Sequence, residues 1–132
     1  IGGILIIATP NPASLGFRLL GSKWLHVDAP RHLNLIPVKV LKSFLKPLDL
    51  KPLMITANDK GAKYWNRVSW QTCLMKYFCR KNESVFQKPR WVWVSWAIMG
   101  YVLSLAFRPI ERNNLNGSTY TAIFQKNSSG LQ

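Results

Sequence analysis

The sequence predicts an α/β fold, because segments typical of strands alternate with segments typical of helices. Three observations support this prediction. An apolar, β-branched run opens the chain at 4–9, an amphipathic helical pattern begins near residue 38, and a β-rich segment lies at 118–125. The 132 residues have the size of one ordinary domain.

The first strand is expected at Ile4–Thr9, between the Gly2-Gly3 turn and Pro10. A short apolar run bounded by turn residues is typical of a strand that is buried on both faces of a sheet. Prolines end the strand because they cannot donate to the ladder. A central strand needs neighbours, so we expect this chain to be the rear part of a larger sheet.

A helical turn near 14–20 and a loop lead to a helix that begins at Pro37. Apolar residues recur on one face of this helix, namely Val38, Leu41, Phe44, Leu45 and Leu48. Further strands are expected at Leu53–Ala57 and at Ser118–Gln125, the latter after the turn-forming Asn116-Gly117.

The residues between the last two strands, 62–112, are expected to form a helical, Trp-rich insert. Its first part carries one amphipathic face, formed by Trp70, Cys73, Leu74, Tyr77 and Phe78. Its second part, Trp91–Phe107, contains no charged residue.

The Trp91–Phe107 segment admits more than one interpretation. A membrane-spanning helix needs about 20 apolar residues, and this segment is at the lower limit. Its tryptophan rings suit a membrane interface. Since both of its ends must return to one sheet, we favour half of a helical hairpin that packs on the domain or dips into one leaflet, and peripheral membrane contact stays open.

The net charge of +13, from 18 Lys and Arg against 5 Asp and Glu, favours contact with phosphates, nucleic acid or anionic lipid. The basic residues are scattered rather than striped, which disfavours nucleic acid. Cys73 and Cys79 would lie on different faces of a helix and are expected to be two thiols. We expect a cytoplasmic protein, with contact at a membrane surface as the open alternative.

Several separately placed features resemble one family. They are the Gly-Gly turn and apolar strand, Thr9-Pro10-Asn11, Gly21, Trp24 and Pro30-Arg31-His32-Leu33 before an amphipathic helix. The pattern looks like the C-terminal half of class I S-adenosylmethionine-dependent methyltransferases, in the type 11/23 branch similar to ubiquinone-biosynthesis and sugar- or lipid-modifying enzymes. The resemblance covers residues 2–53 and resumes weakly at 117–127.

The resemblance implies a Rossmann-like, doubly wound sheet of seven strands, whose last strand inserts antiparallel between the fifth and the sixth. This chain would supply the fifth, sixth and seventh strands. Residues 1–132 would then be a partial methyltransferase domain, with the helical insert at 62–112 and a loose tail at 127–132.

The family binds S-adenosylmethionine on its earlier strands, through a glycine-rich E/D-x-G-x-G loop and an acidic residue that holds the ribose. Neither feature occurs in this sequence. The cofactor would therefore be bound mainly by a missing N-terminal half, and we expect this chain to be inactive alone. Two positions depart from the family. Ile36-Pro37 stands where a Ser or Thr usually caps the helix, and Asp49, which can still adopt a left-handed conformation, replaces the usual Gly after it.

The resemblance implies methyl transfer, at oxygen, to a small-molecule, isoprenoid, lipid or sugar acceptor. The alternative function is that of a non-enzymatic, basic, membrane-associated protein that docks through the Trp-rich segment. His32 is the candidate general base, because histidine accepts a proton close to neutral pH. Asn11, at the end of the first strand, is expected to hydrogen-bond a substrate oxygen, and Trp24 and Arg31 are expected to line the acceptor pocket.

Structural roles are the alternatives for these residues. In these alternatives Asn11 satisfies its own turn, Arg31 is solvated, and His32 only braces its loop onto the helix that follows. His26 and His32 lack suitably spaced acidic or cysteine neighbours, so no metal is expected.

Overall fold

The computed structural model describes residues 2–27, 32–78, 90–113 and 115–127. They form three strands and four α-helices in the order β1 (Ile4–Pro10), α1 (Leu15–Leu20), α2 (Val38–Leu45), β2 (Leu50–Thr56), α3 (Lys60–Phe78), α4 (Arg90–Arg112) and β3 (Thr119–Lys126). Short 3₁₀ turns follow α1 and α2. The predicted α/β class is confirmed.

The three strands form one sheet in the order β1-β3-β2. β3 is antiparallel to both neighbours, so β1 and β2 run parallel to each other. This order is the one that the resemblance implies for a fifth, seventh and sixth strand. The described residues form a three-stranded open sheet, and not the seven-stranded sheet that was expected from the resemblance.

The core lies on one face of the central strand. Tyr120, Ala122 and Phe124 alternate along β3 and are completely buried against Leu41 and Leu45 of α2. The Tyr120 hydroxyl donates to the carbonyl of Ile36, 2.9 Å away, which joins β3 to the chain that enters α2. The even-numbered residues of β3 therefore face α2, and the odd-numbered ones face the other side.

The predicted apolar face of α2 is only partly correct. Leu41 and Leu45 are buried and Val38 packs against them, but Phe44 and Leu48 are exposed. The reason is geometric. α2 ends at Leu45, so Leu48 lies in the following 3₁₀ turn and no longer shares the helical spacing of Leu41 and Leu45. Phe44 lies about 60° around α2 from Leu41, at the border of the face that packs on the sheet.

The prediction that the first strand is buried on both faces is wrong for the described residues. β1 lies at an edge of the sheet, and Ile4 and Ile6 are 62% and 64% exposed. Leu5 and Ile7 pack on the α2 side, whereas no described element covers Ile4 and Ile6. β1 therefore presents an apolar face beside an unpaired edge.

The second strand begins at Leu50, three residues before its predicted start at Leu53. Pro52 lies inside it, next to a register shift between Pro52 and Met54. Proline is tolerated there because β2 is an edge strand with an irregularity at that point. Asp49, directly before β2, adopts the left-handed conformation with φ 55°. A glycine usually adopts this conformation after a helix, and aspartate tolerates it better than most other residues do.

The helical insert forms an α3–α4 hairpin whose helices pack closely at Gly100 and through one stacked pair of aromatic rings. A Cβ atom on Gly100 would overlap the Cα of Gln71, so the two backbones approach each other closely there. The rings of Trp70 and Phe107 stack with centroids 4.8 Å apart. Tyr77, which was predicted on the same packed face as Trp70, is exposed near the end of α3.

No helix among the described residues is long and apolar enough to cross a membrane. Cys73 is buried, and its sulfur accepts a hydrogen bond from the Leu25 amide. Cys79 and the predicted loose tail after Asn127 lie outside the described residues, as do the side chains of Phe78 and Trp93.

Substituting Gly100 by Ala is expected to force α3 and α4 apart and to lower the free energy of unfolding by about 1–3 kcal/mol, the usual cost of overpacking. Urea unfolding followed by circular dichroism measures the change. Gly3→Ala is the matched control, because a Cβ atom there meets open space. Equal stabilities of the two variants would contradict the close packing of the hairpin.

Candidate functional site

The candidate site lies at the edge of the sheet where β1 and β2 both end. These two strands run parallel, so their carboxyl ends meet at the same edge, which is where open α/β sheets bind ligands. β1 ends there with Thr9 and Pro10, β3 begins there with Thr119, and the turn after β2 leads into α3 at Asp59 and Lys60.

A cavity of about 250 Å³ opens at this edge. Its wall comes from the end of β1, the start of β3, the loop after α1 and the first two turns of α3. The lining residues are Ala8, Thr9, Pro10, Leu25, His26, His32, Asp59, Gly61, Ala62, Trp65, Thr119 and Thr121. The wall is largely apolar, and its polar groups are threonine hydroxyls, one carboxylate and two imidazoles.

His26 is fixed in this wall by its neighbours. It is buried, and its Nε2 atom lies 3.4 Å from the Ser69 hydroxyl of α3. Its ring meets those of Trp24 and Trp65 edge to face, at 4.7 and 5.5 Å between centroids. These contacts hold the loop after α1 against α3, and they set the position of everything that packs on His26.

His32 packs edge to face on His26, with their ring centroids 5.9 Å apart. It is half-buried and lines the same cavity. The predicted catalytic residue is thus placed in a cavity at the carboxyl edge of the sheet. Its imidazole can exchange a proton with a hydroxyl group bound there.

Asp59 supplies the carboxylate of the cavity. Its Oδ1 atom accepts a hydrogen bond from the Ala62 amide at 2.9 Å, which caps the start of α3. Burial opposes its ionisation, but hydrogen bonds from Ala62, Thr121 and Gly61 outweigh burial and lower the pKa of Asp59. The cavity therefore carries a fixed negative charge close to Thr121.

The structure places the other predicted site residues differently. Trp24 is 1% exposed and lies behind His26, with its indole ring packed against Gly16, so it does not line the cavity. The bulky ring fills the space that Gly16 leaves, and this turns it inward. Arg31, the other predicted pocket residue, lies outside the described residues.

Asn11 is buried and does not line the cavity either. Its amide nitrogen donates to the carbonyls of Leu115 and Gly117, at 2.5 and 2.9 Å, and its Oδ1 atom accepts from the Ala13 amide. The side chain ties the end of β1 to the turn that enters β3. A substrate oxygen would have to displace one of these bonds, so the alternative structural role fits this geometry.

Sequence reasoning missed Asp59, Trp65 and Thr121 as lining residues. Asp59 lies in the polar segment Asn58-Asp59-Lys60-Gly61, between β2 and α3. The available signal was its position, because an acidic residue between a strand and a helix is a typical N-cap. Thr121 lies between the buried Tyr120 and Ala122 along β3. Because neighbouring residues of a strand point to opposite faces, Thr121 faces away from α2 and toward the cavity.

A second cavity, of about 290 Å³, lies between α3 and α4. Five basic residues line it, namely Lys60, Lys63, Arg67, Arg108 and Arg112. Glu111 also lines it and is 1% exposed. One oxygen of Glu111 accepts a 2.7 Å bond from the Trp70 indole, and the other has no hydrogen-bond partner among the described residues. Burial raises the pKa of Glu111, in spite of the bond from Trp70.

Comparison of the chain with models of protein families, with curated proteins and with solved structures finds no match. Among the described residues, no three histidine, cysteine, aspartate or glutamate side chains lie close enough together to hold a metal ion. Any functional statement therefore rests on the geometry above and on the resemblance of the sequence pattern.

Substituting Asn11 by Ala is expected to lower the free energy of unfolding by at least about 2 kcal/mol, because two carbonyls lose their donor in a buried place. Chemical denaturation measures the loss. Asn34→Ala, at an exposed position, is the control and should change stability little. If Asn11→Ala kept full stability, its structural role would be refuted and the predicted role on substrate would regain support.

Replacing Glu111 by Gln is expected to change the pH dependence of stability. A raised pKa in the folded state means that the folded chain holds this proton more tightly, so the contribution of Glu111 is present at low pH and is lost as the pH rises through the folded pKa. Gln keeps an acceptor for Trp70 and carries no charge.

Urea unfolding of both proteins between pH 4 and 8 provides the measurement, over the range above the ordinary glutamate value of about 4.3. The difference in stability, variant minus original, should grow with rising pH. A constant difference would show that the environment of Glu111 does not favour its neutral form.

Proposed function

We propose that this chain is the acceptor-side part of a methyltransferase domain that moves a methyl group from S-adenosylmethionine to an oxygen of a small isoprenoid, lipid or sugar acceptor. The observation that carries the proposal is the cavity at the carboxyl edge of the sheet, with His32 in its wall. The resemblance of residues 2–53 to class I methyltransferases supplies the reaction class.

The strand order gives independent support. A last strand that returns antiparallel between two parallel strands is what the resemblance implies, and such an order is not required by chain proximity. The exposed faces of Ile4 and Ile6 and the unpaired edge of β1 suit continuation of the sheet beyond β1. Four further strands at that edge would give the seven-stranded sheet.

The residues of this chain do not by themselves fit S-adenosylmethionine. The sequence has no glycine-rich E/D-x-G-x-G loop. When bound, the cofactor supplies an electrophilic methyl group, and we assign its binding mainly to strands outside these 132 residues. What this chain contributes is the shape of the acceptor pocket and a group that can take a proton.

In this proposal the cavity at the carboxyl edge of the sheet is the acceptor pocket, and each part of its wall has a role. Trp65, Leu25 and Ala62 form the apolar surface on which a ring or an isoprenoid chain would pack. The hydroxyls of Thr119 and Thr121, which lie on the cavity side of β3, offer hydrogen bonds to a polar end. His32 takes the proton of the acceptor hydroxyl as the oxygen forms its new bond to carbon. His26 acts through His32, as a positioning residue that holds its ring from behind.

Methyl transfer is expected to depend on His32. The test uses the full-length polypeptide that carries these residues, radiolabelled S-adenosylmethionine, and three hydroxyl acceptors: an isoprenoid-substituted catechol, a hexose and a hydroxy fatty acid. His32→Gln should lower kcat for the acceptor that is methylated by about 10²–10⁴-fold, the usual contribution of a general base. Leu33→Ala, at the exposed next position, is the control.

The outcomes separate the two levels of the proposal. Unchanged kcat in His32→Gln, with methyl transfer intact in the original protein, would refute the role of His32 alone. Failure of the full-length polypeptide both to bind S-adenosylhomocysteine in calorimetry and to label any of the three acceptors would refute the methyltransferase assignment itself.

A further inference from the structure

The α3–α4 cavity concentrates positive charge on one side of the hairpin. Lys60, Lys63 and Arg67 recur along α3 at helical spacing, and Arg108 and Arg112 face them from α4. One buried carboxylate, Glu111, opposes these five cations. The cavity therefore has a surplus of positive charge and enough volume for a phosphate group with its substituents.

An apolar stripe runs along α4 beside this cavity. Trp91, Ile98, Val102 and Leu105 fall within about 60° of one another around a helix that turns 100° per residue. All four are exposed, and Trp91 is 74% exposed. The residues that pack on α3, such as Gly100 and Phe107, lie on the opposite side of α4.

The stripe and the cavity are continuous. Leu105 belongs to both, since it lines the cavity and is exposed on the stripe. Arg108 and Arg112 follow it one and two turns further along the same side of α4. An apolar face that is bordered by basic side chains suits a surface with acyl chains beneath anionic headgroups.

We propose that the α3–α4 hairpin docks on a bilayer that contains anionic phospholipid, with the α4 stripe against the acyl chains and a lipid phosphate in the basic cavity. The charge balance of the chain fits this partner, since its net charge of +13 is opposite in sign to that of the membrane. The proposal stands on the hairpin and does not depend on the methyltransferase assignment.

A bilayer fits these observations better than a nucleic acid does. Nucleic acid also attracts basic residues, but single-strand binding uses stacking on exposed aromatic rings and duplex binding uses the grooves. Two exposed tyrosines, Tyr64 and Tyr101, line the basic cavity. The stripe beside it is aliphatic beyond Trp91, and aliphatic side chains pack on acyl chains but do not stack on bases. The Glu111 oxygen without a hydrogen-bond partner can also accept a bond from a headgroup hydroxyl, such as that of phosphatidylglycerol.

Co-sedimentation of the intact chain with vesicles tests the proposal. Vesicles of phosphatidylcholine with about 30% phosphatidylglycerol should bind the chain much more strongly than pure phosphatidylcholine vesicles, and added salt should weaken the binding. Arg108→Gln with Arg112→Gln should weaken partitioning into the mixed vesicles by about 25-fold, since each basic residue near such a surface contributes about 5-fold.

The matched control is Lys39→Gln with Lys42→Gln. It removes the same charge from exposed positions of α2, which packs on the opposite face of the sheet. It should weaken binding by less than about 3-fold, because charges far from the surface are screened. A further variant, Ile98→Ser with Val102→Ser, should weaken binding while it leaves the net charge unchanged. Circular dichroism spectra confirm that each variant is folded.

Three results would overturn the proposal. They are equal binding to both kinds of vesicle, an equal loss in the two double-charge variants, or displacement from the vesicles by an RNA or DNA oligonucleotide whose own binding depends on Arg108 and Arg112. The last result would assign the cavity to nucleic acid.

Discussion

The return of β3 into the middle of the sheet is the constraint on which the other features of the structure depend. β1 and β2 do not touch each other, and each becomes part of a sheet only by pairing with β3. β3 also carries the buried residues Tyr120 and Phe124, so the same strand joins β1 and β2 into one sheet and supplies core residues. Its entry point is fixed by hydrogen bonds from two distant places, because the amide of Asn11 holds the preceding turn and the side chain of Asn66 accepts from the Ser118 amide. Strand pairings between residues so far apart in sequence slow folding, because the entropy of closing a long loop is lost before the contact forms.

The candidate site exists because β3 pairs with β1 and with β2. Ala8 lies near one end of the chain and Thr121 near the other, and they line one cavity only because the pairing of β1 with β3 places them opposite each other. α3 completes the wall, since it starts at the same edge of the sheet and presents Trp65 to the cavity and Ser69 to His26. Ring contacts join Trp24 to His26 and His26 to His32, so tertiary contacts set the position of His32 in the cavity wall.

Much of the fold follows from local patterns, and much of the site does not. The strands, helices and left-handed Asp49 were predictable because each depends on a few neighbouring residues. Exposure was less predictable. The runs that contain Ile6 and Phe44 have the spacing of buried residues, but burial needs a partner surface, which spacing does not specify. Asn11 was predicted at the end of the first strand, and Trp24 was assigned to the acceptor pocket by the resemblance. Their direction depends on where the turn before β3 and Gly16 lie, and no local pattern contains that information. His32 was placed by resemblance, whereas Asp59 needed only the recognition of a capping position.

The first two turns of α3 lie between two cavities. One is the cavity at the carboxyl edge of the sheet, here called the acceptor cavity, and the other is the basic cavity between α3 and α4. Gly61, Ala62 and Trp65 face the first, while Lys60, Lys63 and Arg67 face the second, on the other side of the same helix. A lipid phosphate held by the basic side would therefore lie one helix diameter, about 10 Å, from the acceptor cavity.

For an acceptor with a long isoprenoid or acyl chain, this arrangement of the two cavities has a physical advantage. Such a molecule resides in the bilayer, and a site held against the membrane surface receives it without exposing the apolar chain to water, a transfer that costs about 0.8 kcal/mol for each methylene group. The charge and the apolar stripe of the hairpin thus favour a membrane-resident acceptor over a soluble sugar among the proposed substrates.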